Sequence, residues 1–240
     1  MSTSISAIRS ALKRQEWLKS TYYLGIALRQ MVGDQWKQPS AYDDIFNSSA
    51  DPWRSSSAGE KIRFETTLSM LAAADRERFA TAVEIGCAEG IFTEQIGRYC
   101  DSLLALDYSE VALDRARARL EHNSRVSFRR WDMRDEHLDG KYVLVVAMGV
   151  LTSLYRPADV RRVCRMIVGA IEPGGYLLFS DVRQSPVFER AWWGPMILRG
   201  GEQIRRLLST AYGLEVKATA DTASHVFALF HRPSTNRGPI

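Results

Sequence analysis

The chain has 240 residues, 45% of them hydrophobic and 25% charged, which supplies a full-sized core and excludes a wholly disordered protein. Lys and Arg number 32 against 28 Asp and Glu, a net charge of +4, too small an excess for a nucleic-acid footprint unless it is clustered. Arg119, Arg125, Arg129, Arg130 and Arg134 do fall close together; they are read as a solvated helix and strand end, with a basic substrate-binding rim as the alternative, and no nucleic-acid partner is expected.

In chain order, the first 80 residues are organised differently from the rest. Ile5, Ile8 and Leu12, then Tyr22, Tyr23, Ile26, Ala27 and Met31, predict one or two amphipathic helices. A polar, turn-rich link follows at 47–53, then a helix over about 59–71. These helices either pack on a sheet edge or form a lid over a ligand cleft. From about Ala82 onward apolar runs alternate with amphipathic stretches. Strands are expected at 82–85, 103–106, 126–129, 142–148 and 176–179. A helix carries the stripe Val160, Val163, Cys164, Ile167, Val168 and Ile171, with Asp159 as N-cap and Pro173-Gly174-Gly175 as terminator. Strands alternating with helices build a parallel sheet covered on both faces. Two last strand-like segments, 214–219 and 225–230, have only a short polar link between them, which permits only an antiparallel pair. The expected fold is therefore α/β, a Rossmann-like doubly wound sheet of seven strands: five parallel strands plus a terminal antiparallel hairpin. An N-terminal helical extension and cap would span 1–75, and the ligand-binding core 76–240.

Cys87, Cys100 and Cys164 form no CxxC pair and have no histidine at metal spacing, so neither a disulfide framework nor a zinc site is expected. The N-terminus gathers no signal-peptide stretch, and no run approaches the roughly 18 apolar residues of a membrane span. A reducing cytoplasm and no membrane partner are the corresponding expectations.

The strongest chemistry lies in Val83-Glu84-Ile85-Gly86-Cys87-Ala88-Glu89-Gly90, between the first strand and a helix starting near Phe92. Glycines at such a turn let backbone pass close to a ligand, with N–H groups of the following helix facing it. The loop is GxxxG, neither the GxGxxG dinucleotide fingerprint nor a P-loop, since no phosphate-binding lysine follows. Asp107 stands 21 positions after Gly86, where doubly wound folds place a carboxylate for both ribose hydroxyls. The third strand ends in Trp131-Asp132-Met133: Asp132 can accept from an adenine amino group while Met133 or Trp131 packs on the ring.

These residues resemble the class I S-adenosylmethionine-dependent methyltransferases. The ExGxxxG loop is similar to that family's first motif and Leu104-Ala105-Leu106-Asp107 to its second. Asp132 is similar to its adenine-side acid and 173–179 to its turn into the fifth strand. The resemblance covers about residues 80–230, and the terminal hairpin matches it too. Upstream, Tyr42-Asp43-Asp44-Ile45-Phe46, Asp51-Pro52-Trp53-Arg54 and Glu60-Lys61-Ile62-Arg63 resemble the NodS-like branch, typified by an N-methyltransferase acting on a free amino group of a chitooligosaccharide. The resemblance implies S-adenosyl-L-methionine as cofactor, held by Glu84, Gly86, Cys87, Ala88, Asp107, Tyr108, Asp132, Met133 and Met148, with Tyr42 and Trp53 closing over it. It implies a small-molecule acceptor, expected to be an amine such as an amino sugar, with a hydroxyl as alternative. Homodimerisation is left open. The stretch 147–154 departs from the pattern, with no acidic residue where relatives often have one.

Methyl transfer is an in-line displacement, so the protein mainly aligns nucleophile and methyl and excludes water. A base is needed only if the nucleophile arrives protonated. Asp181, Tyr155, His137 and Glu189 are the candidates for that role, each with a bland counterpart as a cap, a helix flank or a surface group. Trp192-Trp193-Gly194-Pro195-Met196 offers an apolar or sugar-stacking wall. Cys87 reads as a backbone spacer. Two other classes stay open at this point: an NAD-dependent oxidoreductase, disfavoured by the GxxxG loop and the hairpin, and a non-catalytic binding subunit that keeps the fold.

Overall fold

The structure, a computed structural model, describes residues 39–154, 157–183 and 200–234. In chain order it runs α1 (Pro39–Ser48), α2 (Ala58–Ser69) with a 3₁₀ turn Met70–Ala73, β1 (Phe79–Ile85), α3 (Ile91–Ile96), β2 (Cys100–Asp107), α4 (Glu110–Arg119), β3 (Val126–Arg130), β4 (Tyr142–Met148), α5 (Pro157–Ala170), β5 (Ile171–Val182), α6 (Gly201–Tyr212), β6 (Glu215–Asp221) and β7 (His225–His231). The expected helices within 5–31, and Tyr155, Glu189 and Trp192 to Met196, lie outside the described residues.

Seven strands form one sheet in the order β3-β2-β1-β4-β5-β7-β6. β1 to β5 pair in parallel, and β7 inserts antiparallel between β5 and β6. The strand order reverses between β1 and β4, and open α/β sheets bind ligands outside the carboxyl ends of the strands at such a switch point.

Alternation along each strand divides the core. Ile85, Val145, Ala147, Leu177 and Phe179 face α5 and α6, whose Val160, Val163, Cys164, Ile167, Ile204 and Leu208 are fully or almost fully buried. Leu144, Val146, Tyr176 and Leu178 face the other way, toward Phe64 of α2 and Phe92 and Ile96 of α3. Burying one such apolar side chain stabilises by about 1.5–3 kcal/mol, so the stripe on α5 suffices to dock that helix without help from its ends.

Three local expectations differ from the structure. Asp159 lies in the first turn of α5, not at its cap, because Pro157, which has no N–H to leave unpaired, opens the helix. The Pro173-Gly174-Gly175 turn lies inside β5 and not at the helix end. Here Gly174 adopts φ +80°, and the register of β4 and β5 shifts between Tyr142 and Leu144. A Cβ on Gly175 would come within 2.9 Å of the Val143 carbonyl oxygen, so the sheet closes there only with glycine. Finally, α1 was not expected as a helix, although Tyr42, Ile45 and Phe46 carry helical spacing.

Candidate functional site

The turn after β1 reverses within five residues through positive φ at Gly86 (+77°), Ala88 (+47°) and Gly90 (+77°). At Gly86 the requirement is double: a Cβ would fall 2.2 Å from Val150 Cγ1, so glycine lets the loops after β1 and β4 touch across the switch point. Gly86 and Cys87 donate their N–H groups to the Leu106 carbonyl at 2.8 and 2.9 Å, and Gly90 donates to the Cys87 carbonyl at 3.0 Å. These loop N–H groups have protein partners, so the glycines contribute close backbone approach more than free donors. Burial pushes the Cys87 thiol well above its ordinary range, as suits a spacer and not a nucleophile.

Glu84 is buried at the end of β1, and its Oε2 has no hydrogen-bond partner among the described residues. Burial pushes its pKa up to about 7, opposed by the neighbouring Thr93 hydroxyl and assisted by the charge of Asp107. Asp107 ends β2. Its Oδ2 accepts from Ala88 N–H at 2.8 Å and its Oδ1 from Ser109 N–H at 2.9 Å. A carboxylate has about four acceptor positions, so two remain for a pair of vicinal hydroxyls. Burial raises its pKa, those backbone bonds oppose the rise, and the charge of Asp43 adds to it.

The end of β3 is more committed than expected. Arg134 donates to Asp132 through Nε and Nη2, at 2.9 Å each, and through its backbone N–H at 2.9 Å. Its guanidinium also lies 4.5 Å from the Tyr108 ring centroid. Asp132 therefore keeps an open acceptor position on Oδ2 only. Trp131 does not offer a stacking face: it is buried in the core, and its indole N–H donates to the His137 carbonyl at 3.0 Å. Met133 packs half-buried on the same core.

Helix α1 closes this edge from above. Asp43 Oδ1 accepts from the Ser109 hydroxyl at 2.5 Å and from Val111 N–H at 3.4 Å, which sets a negative charge at the N-terminus of α4, where the helix dipole favours it. Six residues along α4, Arg115 donates to the carbonyls of Phe46, Ser49 and Ala50 at the other end of α1. Phe46 is 1% exposed beneath these contacts. Tyr42 meets Tyr108 edge-on at 5.6 Å, beside Asp107. Trp53 instead packs edge-on against Phe46 at 6.0 Å and stays 45% exposed, so it serves the cap's own packing. The Asp51-Pro52-Trp53 turn is shaped by Asp51, whose carboxylate accepts from Ser55 N–H, Ser56 N–H and the Ser56 hydroxyl. Ser109 and Arg115 carried no signal in the sequence, Asp43 entered only as part of the 42–46 resemblance and Arg134 only as one of a run of arginines, because the partner of each is set by the fold.

Among the expected proton acceptors, Asp181 has another task. It is fully buried, and its oxygens accept from Leu151 N–H (3.0 Å), Thr152 N–H (3.1 Å), the Thr152 hydroxyl and Val182 N–H (2.9 Å). Burial raises its pKa while those four bonds oppose the rise, and together they clamp the loop after β4 onto the end of β5. His137 is exposed on the connection from β3 to β4, where its backbone carbonyl accepts the Trp131 indole N–H. Met148 ends β4, with its sulfur 3.6 Å from the Thr67 hydroxyl of α2.

Known proteins match this geometry. The family described as Nodulation protein S (NodS) matches residues 44–212. Nodulation protein S of Rhizobium tropici is 25% identical over 236 residues, covering 88% of this chain and 97% of that protein. The crystal structure of N-methyltransferase NodS from Bradyrhizobium japonicum WM9, in complex with S-adenosyl-L-homocysteine, superposes with a TM-score of 0.67 at 26% identity, covering 77% of this chain and 93% of that one. A ubiquinone biosynthesis O-methyltransferase from Acinetobacter baylyi is 27% identical over 130 residues, 52% of this chain and 51% of that protein. With the family match spanning both the cap and the strand-end loops that surround Asp107, the chain belongs to the NodS family and is an S-adenosylmethionine-dependent methyltransferase.

Proposed function

We propose that the protein transfers the methyl group of S-adenosylmethionine to nitrogen on a small-molecule amine, an amino sugar being the first candidate. The observation that carries this reading is the family match from the cap through α6, together with the likeness to an N-methyltransferase over most of both chains. A partial likeness to an O-methyltransferase is confined to about half of this chain and keeps a hydroxyl acceptor as the second reading.

The residues present fit the cofactor. Asp107 has two acceptor positions left for ribose hydroxyls, Glu84 has an unsatisfied buried oxygen, and Gly86 permits backbone approach. In this assignment Gly86, Cys87 and Ala88 form the floor, while Tyr108 and Tyr42 border Asp107, the carboxylate that takes the ribose hydroxyls. Asp132 Oδ2 and Met133 border the adenine, Met148 lies toward the methyl, and residues 1–75 act as cap over a 76–240 core. When bound, the cofactor supplies a methyl on a sulfonium with a good leaving group. What the chain itself does is align the acceptor and exclude water.

No nucleic-acid partner is part of this proposal, because Arg134 and Arg130 are spent on Asp132 and Tyr108 and Arg119 on the Glu89 carbonyl. Among the described residues no helix is long and apolar enough to cross a membrane; we assign the protein to the cytoplasm. The test is incubation with methyl-labelled cofactor and a panel of amino sugars, simple amines and phenols, locating the new methyl by mass spectrometry. Nitrogen methylation is expected. Methyl on oxygen alone would overturn the amine assignment and leave the methyltransferase standing.

A further inference from the structure

The strand ends beyond β4 hold a polar cluster that the cofactor edge does not use. On the face covered by α2, alternation places Met148 of β4, Ser180 of β5 and Phe227 of β7 in one cross-strand row, with His225 one step further along β7 opposite Val182. The first turns of α2 lie over this row. A Cβ on Gly149, the residue after β4, would be 3.2 Å from Arg63 Nη1. Arg63 donates from Nε to Glu60 Oε2 at 2.8 Å and again from Nη2, and the two side chains are only 14% and 18% exposed. Both of these bonds fall on Glu60 Oε2, which leaves Oε1 outside the pair. The Ser180 hydroxyl is buried in the same row with no hydrogen-bond partner among them. His225 is half-buried against Phe227, ring centroids 6.3 Å apart, and its Nδ1 meets the Ser224 hydroxyl at 2.9 Å, which fixes the ring and leaves Nε2 as the other nitrogen.

A partly buried, charge-paired Glu–Arg couple, an unsatisfied hydroxyl and an oriented imidazole on one rim form a recognition surface for a polar ligand. They stand on the β4 side of the switch point, opposite Asp107. We infer that this rim binds the methyl acceptor, with Glu60 and Ser180 as hydrogen-bond partners of its amine and adjacent hydroxyl, and that His225 Nε2 removes the proton from the acceptor's ammonium. This deepens the amine assignment above and rests on it. The step balances simply. The ammonium gives one proton to neutral His225; the freed lone pair forms the C–N bond as the C–S bond breaks with its electron pair remaining on sulfur. His225 then returns its proton to solvent.

The surroundings suit a neutral imidazole. Burial lowers the His225 pKa, the charge of Arg63 lowers it further, and Glu60 partly opposes them. The other charged groups nearby are Asp181, whose side chain alternates onto the opposite face, and Arg183, which is paired with Glu202. An aligned base contributes about 10²–10⁴ in rate.

The test measures kcat/KM against pH for glucosamine, its β-1,4-linked dimer and a simple primary amine, with wild type and His225→Gln. Expected is a wild-type profile that levels off below neutral pH. In His225→Gln, kcat/KM at pH 7 should fall with the neutral fraction of each free amine, roughly 1000-fold for the simple primary amine and less for the less basic amino sugars, recovering at high pH, with S-adenosylhomocysteine affinity by calorimetry unchanged. Should His225→Gln not fold, Ser224→Ala loosens the ring only, and it should displace the low-pH inflection with the same affinity for S-adenosylhomocysteine. Variant profiles that superimpose on wild type would overturn the inference alone. Wild-type enzyme that methylates no nitrogen in the panel would overturn both it and the amine assignment.

Discussion

Replacing Asp107 tests the cofactor edge most directly, because one carboxylate does two separable things there. In the protein alone it accepts from Ala88 and Ser109 N–H at 2.8 and 2.9 Å, and its remaining positions are assigned to the ribose. Hydrogen bonds to a charged acceptor contribute about 1.5–3 kcal/mol each; losing two, with some relaxation, should cost roughly 2–4 kcal/mol, or about 30- to 1000-fold in Kd. Asp107→Asn keeps one oxygen for the loop and should lie at the low end. Asp107→Ala also strands the N–H of Ala88, a residue itself at positive φ, and should lie at the high end and lower Tm. Titration calorimetry with S-adenosylhomocysteine reads the first effect and thermal melting without ligand the second. Wild-type affinity in a folded Asp107→Ala protein would refute the assignment of this carboxylate to the ribose.

Other perturbations separate structural from chemical roles. Asp181→Ala removes the acceptor of four bonds and should destabilise the fold by roughly 3 kcal/mol or more by chemical denaturation; unchanged stability with a large loss of rate would restore it as a base. Arg115→Ala frees three carbonyls at the end of α1, so limited proteolysis near the 49–57 link should accelerate, and cofactor should protect less than in wild type. Glu84 is ordinary in the unfolded chain and pushed to about 7 in the fold, so the folded state binds the extra proton and stability falls as pH rises from about 4.5 to 7. The full effect is about 3 kcal/mol; Glu84→Gln should abolish the slope and melt higher at pH 8 without ligand, and a pH profile of Tm identical to wild type would contradict this. Gly86→Ala must displace Val150 and strain φ, so the variant should lose cofactor affinity or fail to fold.

The sheet was legible because its signals are local and periodic. Apolar runs of strand length, helical stripes between them and a link too short for a crossover give seven strands and the antiparallel ending directly. The Gly86 loop and Asp107 were legible for a related reason: both sit at a fixed offset from a strand end. What escaped depends on residues far apart in sequence. Asp43 belongs to a recognisable stretch, but its partner is visible only once α1 rests on α4, 66 positions away at Ser109. Asp181 looked like a proton acceptor because it ends a strand, yet the loop after β4 wraps it. Arg134 lies two residues from Asp132, near enough to notice, but a strand-end arginine more often faces water. His225 read only as the start of a strand, since the α2 groups that face it lie more than 160 residues upstream.

The insertion of β7 between β5 and β6 also fixes the order in which this molecule can be completed. During synthesis the chain emerges N-terminal end first. Everything that shapes the ribose side, from Asp43 to Asp132, is available long before residue 225 appears. The far rim cannot exist until the last strand has slid into place beside β5. Because His225 stands on β7, the rim assigned to the acceptor depends on that strand's pairing with β5.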